Sequence, residues 1–234
     1  MAMIVESCQL LFAGVNYVFV PAPAVDTRTS LSFQAKLAEN KLEFDRVENK
    51  SGQLMLFREK GSQLRVQLSR PNPAMAQLLI LAENPQYTLG LIDKEMEAAC
   101  DAFEANWSVP QQIIARDATL RHLYSVEEEH AFQYLWEQRL RQPPEDLEQL
   151  GGGVLGGGLR LVLPPHGERT AQVEIKIESF LKETGKVFLE TQMLWQQPMN
   201  PGERLNPSAL LNEVKEYAEG AALSFASGKE GSPQ

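Results

Sequence analysis

The chain has 234 residues, 43% of them hydrophobic and 23% charged, with a formal net charge of -9 at pH 7. That length and apolar content allow one sizeable core or two small ones without disulfide or metal staples. The acidic balance argues against nucleic acid as a partner, because each phosphate contact needs a cation, and no run reaches the roughly 18 uninterrupted apolar residues of a membrane-spanning helix.

Residues 10–20 are apolar and Ala22-Pro23-Ala24 imitates a signal-peptide cleavage site, yet no Lys or Arg precedes Arg28, Glu6 lies early and Asn16 interrupts the run. A secretory signal needs a basic start and an unbroken apolar centre, so the expectation is a soluble cytoplasmic protein beginning with buried strands. Cys8 and Cys100 lie in apolar stretches without a CxxC spacing and read as reduced core residues.

Residues 4–12 and 15–20 suit strands separated by Ala13-Gly14. A helix over 27–40 follows, with Ser30 as its cap, and then a hairpin of 54–57 and 64–68 around Glu59-Lys60-Gly61-Ser62. A strand at 77–82 precedes a helix capped by Asp93, whose apolar stripe runs through Met96, Ala99, Cys100, Phe103 and Trp107 until Pro110. The pattern then restarts at Ile113. Ser125 and Glu128 match a capping box for a helix over 126–141, ended by Pro143-Pro144. Strands at 159–163, 173–177 and 187–196 come next, with a turn at Glu183-Thr184-Gly185-Lys186. Asn206-Pro207 opens a last helix that lines up Leu210, Leu211, Val214, Tyr217, Ala218, Ala221 and Phe225 and stops at Gly228.

The repeated order of elements predicts an α+β fold of two antiparallel-sheet modules covered by helices, at residues 1–107 and 108–227, related as a pseudo-twofold tandem repeat, with a disordered tail over 228–234. A single α+β domain is the alternative, since no residue-level repeat accompanies the order of elements. Two such sheets can pair edge to edge and so remove exposed edges.

Candidate chemistry is sparse. Gly151, Gly153 and Gly156 spell GxGxxG, but the run follows a helical segment and enters a strand, the reverse of a dinucleotide loop, and no P-loop lysine follows. Glu127-Glu128-Glu129-His130 holds metal-binding atoms in the wrong arrangement, and His122 and His166 have no ligand spacing, so neither metal nor cofactor is expected. No GxSxG motif occurs and neither cysteine has a histidine beside it in sequence. Glu174, Glu178 and Glu190 share a hairpin, where a solvated face is the ordinary explanation. Phe132, Leu135 and Trp136 fall on one helical face, as a core contact would, while Tyr134 and Trp136 near Arg139 offer stacking surfaces. Trp195, at a strand end leading into a loop, is the better binding candidate, with Tyr217 and Phe225 as further walls of a pocket between sheet and helices. The expected function is a non-enzymatic interaction or scaffold protein with a protein partner or self-association. A small-molecule binding module and an enzyme with a spatially assembled site are the alternatives.

Overall fold

In the computed structural model, residues 2–50, 52–60, 63–107, 112–127, 129–151, 153–200 and 202–228 are described. The predicted turn at Gly61-Ser62, the stop at Pro110, Glu128 of the capping box, Gly152 and the tail 229–234 lie outside them.

β1 (Met3–Val20) is one strand of 18 residues where two were expected. Ala13-Gly14 does not turn the chain: Gly14 pairs with Leu81, and a Cβ on it would come within 2.8 Å of the Phe12 ring, so this glycine serves close packing. The other strands are β2 (Arg46–Lys50), β3 (Gln53–Phe57), β4 (Gln63–Asn72), β5 (Met75–Glu83), β6 (Gln112–Val126), β7 (Gly158–Leu163), β8 (Gln172–Ser179) and β9 (Lys186–Trp195). They form a single nine-stranded antiparallel sheet in the order β2-β3-β4-β5-β1-β6-β9-β8-β7. The expectation of two sheets is therefore corrected: β1 and β6, the first strands of the two sequence halves, are neighbours in that sheet. Pairing there satisfies main-chain groups that two separate sheets would leave at open edges.

The chain divides into two compact units. An aromatic unit comprises Phe12–Thr119 and Met193–Glu213, and a cleft unit comprises Met1–Leu11, Leu120–Gln192 and Val214–Gln234.

In the aromatic unit, buried residues alternate along β3, the first part of β4 and the first part of β5, at Leu54, Leu56, Leu64, Val66, Leu68, Ala76, Leu78 and Ile80, as expected of strands with one covered face. α1 (Thr27–Glu39) and α2 (Leu89–Asn106) supply Phe33, Leu37, Ile92, Met96 and Phe103 to the core. α1 starts one turn before the expected cap. Asp26 accepts from the Thr29 N–H at 2.8 Å while the Thr29 hydroxyl accepts from the Asp26 N–H at 3.0 Å, a reciprocal capping box. Asp93 is likewise not a cap but lies inside α2, which begins after Thr88.

In the cleft unit, Val173, Ile175, Ile177, Val187, Leu189, Leu120 and Tyr124 form the buried side of the strands. The predicted helix over 126–141 starts late, because β6 runs on to Val126, whose N–H donates to the Gly185 carbonyl at 3.0 Å. Ser125 thus sits in a strand, its N–H bonded to the Ser7 hydroxyl at 2.7 Å, and caps nothing. α3 (Ala131–Gln133) passes directly into a π-helical turn over Tyr134–Arg139, and a 3₁₀ helix over Pro144–Leu150 follows. α4 (Pro207–Tyr217), whose residues up to Glu213 belong to the aromatic unit, opens with Asn206 accepting from the Ala209 N–H at 2.9 Å, at the predicted start. A second π-helical turn over Ala218–Ala222 leads into α5 (Leu223–Ser227), which ends at Gly228 with φ of 70°, where glycine is favoured. No helix of the described residues is long and apolar enough to cross a membrane.

Candidate functional site

The aromatic residues singled out from sequence occupy different settings. Trp195, in the aromatic unit, is only 2% exposed and carries the Arg116 guanidinium 5.8 Å above its ring, which makes it a core residue with a cationic cover. Tyr217 and Phe225 belong to the cleft unit. Arg169 stands 5.4 Å over Tyr217, and Arg139 stands 5.8 Å over Phe225 while also donating to the Phe225 carbonyl.

The three hairpin glutamates are only partly on a wet face. Glu190 is buried and ion-paired with both Arg121 and Lys176, each at 2.5 Å. Arg160 grips Glu174 with two hydrogen bonds of 2.8 Å and holds its carboxyl below the usual range, while Glu190 in turn raises Lys176. The result is a ladder of alternating charge in which Glu174 and Glu190 are committed to cations, while Glu178 stays exposed.

Cys8 is exposed rather than buried, and Cys100 is buried. Desolvation raises both thiols, Cys100 strongly, which moves them away from the reactive thiolate. His122 is buried on β6 with its Nδ1 unpartnered, and desolvation lowers its pKa to about 4. Among the described residues no three His, Cys, Asp or Glu side chains gather as a metal site. The glycine run leaves the 3₁₀ helix through Gly151, at φ of 76°, and enters β7 at Gly158, where a Cβ would lie 2.0 Å from the Ile177 carbonyl oxygen. The observed order is thus helix, loop, strand, and no helix N-terminus follows to receive a phosphate.

A feature with binding geometry is a cleft of about 270 Å³ in the cleft unit, lined by His130, Phe132, Gln133, Trp136, Glu137, Pro144, Leu147, Val154 and Leu155. Its floor is built by local rules. Phe132 and Trp136 are four residues apart at the start of the π-helical turn, and their rings stack with centroids 6.1 Å apart and planes inclined by 25°. The indole N–H donates to the Pro143 carbonyl at 3.0 Å, which fixes the ring over the 3₁₀ helix. Gly157 lets the loop run against Phe132, since a Cβ there would be 3.1 Å from the ring. Leu155 projects from this loop with 87% of its surface exposed. His130, Gln133 and Glu137 provide the polar wall, with the Gln133 amide donating to Glu137 at 3.4 Å.

α-Helical spacing predicts one shared face for Phe132, Leu135 and Trp136, but the wider turn separates them. The Leu140 N–H reaches back five residues to the Leu135 carbonyl, and Leu135 joins buried Tyr134 while Phe132 and Trp136 remain half-buried. Their spacing of four was the available signal. The described lining contains no serine, cysteine, lysine or arginine, so its chemistry is that of apolar recognition with hydrogen bonding at the rim. Compared with family models, curated proteins and solved structures, the chain matches none of them.

Proposed function

We propose that this chain is a non-enzymatic cytoplasmic interaction protein whose cleft receives an apolar side chain of a protein partner. The stacked Phe132–Trp136 floor beside exposed Leu155 carries the reading. Tryptophan in a ring of apolar contacts is a common source of binding energy at protein interfaces. The cleft volume of about 270 Å³ falls below the roughly 300–1,000 Å³ of pockets for drug-sized ligands, a size that suits one or two side chains. The test compares tagged wild type with Trp136→Ala and Leu155→Glu in purification from the native host. A partner retained by wild type and lost by both variants, with unchanged circular dichroism, is the expected result; a partner retained by all three rejects the cleft.

A small-molecule binding module is the second reading, favoured by His130, Gln133 and Glu137 converging on one wall. Native mass spectrometry distinguishes it, since a ligand released on denaturation and absent from Trp136→Ala replaces the protein partner. We also propose that the two sequence halves are duplicated modules. Each supplies a strand, a helix, a run of strands and a helix, and the sheet order β3-β4-β5-β1 followed by β6-β9-β8-β7 supports the pseudo-twofold reading.

A further inference from the structure

We propose that the outer edge of β7 pairs with β7 of a second copy of this chain, antiparallel about a two-fold axis at Leu161, because its backbone groups, side-chain alternation and lack of carboxylates are self-complementary there.

β7 is the last strand of the sheet, and among the described residues nothing pairs with its outer side. The Ser179 N–H donates to the Gly157 carbonyl at 3.0 Å, in phase with the β7–β8 register of Gly158 with Glu178 and Leu161 with Ile175. Odd-numbered residues of β7 therefore direct their main-chain groups toward β8, and Arg160 and Val162 direct theirs outward. An antiparallel partner can meet those groups with Leu159, Arg160, Leu161 or Val162 at the axis; Leu159 there would set Val162 against Gly156, outside the strand, and Val162 there would set Arg160 against Pro164, which has no N–H. With Arg160 at the axis, two guanidinium groups would stand opposite one another, a like-charge pair. With Leu161 at the axis, Arg160 faces Val162 of the other copy, Leu159 faces Leu163, and four main-chain hydrogen bonds form between the Arg160 and Val162 pairs. Arg160 enters this arrangement already paired with Glu174, and Val162 is 54% exposed.

Charge favours a second copy at this edge. The chain carries -9, yet residues 149–167 contain no Asp or Glu and only Arg160 as a formal charge, so two acidic molecules approach where neither repels the other. Leu155, Leu150 and Leu181, the three most exposed large apolar residues, lie in the same unit. Self-complementary two-fold pairing is also the commonest form of homo-oligomer.

The experiment is native mass spectrometry with light scattering on the full chain. Wild type is expected at twice the chain mass. Val162→Pro leaves the bonds to β8 intact, because that N–H faces outward, and is expected at the mass of one chain. Should Val162→Pro not fold, charge gives a second readout. Val162→Lys places lysine against Arg160 twice and splits the pair, whereas Val162→Glu keeps it. In a Cys8→Ser background, oxidation crosslinks Leu161→Cys, whose two copies face each other about 4.5 Å apart at the axis, but not Val162→Cys. A wild-type monomer, a dimer indifferent to Val162→Lys, a crosslink through position 162 rather than 161, or a different protein bound along this edge overturns the proposal.

Discussion

In the aromatic unit, Phe19, Phe33, Phe103 and Trp107 meet at centroid distances from 5.0 to 6.4 Å, and the buried groups able to titrate, Tyr17 and Cys100, are pushed upward by desolvation and stay neutral. The cleft unit buries His122, Thr191 and Glu190 alongside its aliphatic strands, and the His122 Nδ1 and Thr191 hydroxyl lack hydrogen-bond partners. Both units cover antiparallel strands with helices and both enclose unpartnered polar atoms, Arg65 Nε and Asp93 Oδ1 in the aromatic unit, where desolvation raises the Asp93 carboxyl; the cleft unit differs in containing a base held neutral by burial. Ring packing is stable across pH, whereas a polar group enclosed without a partner ties stability to its protonation state.

The largest expected effect lies in the aromatic unit. Phe103 touches three other rings, so Phe103→Ala removes the centre of the cluster and is expected to cost about 3–5 kcal/mol, read from the urea midpoint at constant slope. A loss no greater than that of a surface substitution would show that the cluster does not hold the unit.

Acid sharpens the contrast. His122 ordinarily titrates near 6.5 and is lowered to about 4 in the folded chain, so between those values the unfolded state binds more protons. Stability is therefore full above pH 6.5 and falls as pH drops toward 4, by up to about 3 kcal/mol, with no further loss from this group below that. Hydrogen exchange at pH 5 should quicken in β6 and β9 of the cleft unit before it does around Phe103. His122→Leu should flatten that part of the pH profile, and an unaltered profile would assign the acid sensitivity elsewhere.

Two smaller effects test how the cleft unit accommodates its polar groups. Glu190→Gln leaves Arg121 and Lys176 facing a neutral amide and is expected to cost about 1–3 kcal/mol, measured by thermal unfolding at low and high salt. Because Glu190 is buried, the penalty should survive salt that screens surface pairs. Tyr134→Phe removes a buried hydrogen bond of 2.9 Å to the Ala226 carbonyl and should cost about 1 kcal/mol, visible as a small shift of the same transition.

Much of the fold was legible where periodicity had one explanation. The alternation of Val173, Ile175 and Ile177 with charged residues, and the Asn206-Pro207 start of α4, correspond directly to β8 and to a capped helix. β2 went unseen because Arg46, Glu48 and Lys50 leave no apolar alternation to mark a strand, although charged side chains suit an edge strand. Ala13-Gly14 looked like a turn because the Phe12 ring that requires a glycine is invisible in a linear pattern. The cleft was hidden for a related reason. Phe132 and Trp136 were on the page as aromatics, but α-helical spacing assigned them to the core, and the wider turn that separates them from Leu135 has no simple composition signal.

Those two wide turns, at Tyr134–Arg139 and Ala218–Ala222, make chain length itself a determinant of what faces inward. Each holds about one residue more than a regular helix would, and an α-helix turns about 100° per residue. Deleting Gly220 would remove the extra residue and leave a regular helix with Leu223 and Ala226 still on the buried side, whereas straightening the turn with all its residues kept would rotate the later positions by roughly that angle and swing Phe225 toward the core. The extra residue in each wide turn is thus what keeps the helix before it and the helix after it in phase with one core.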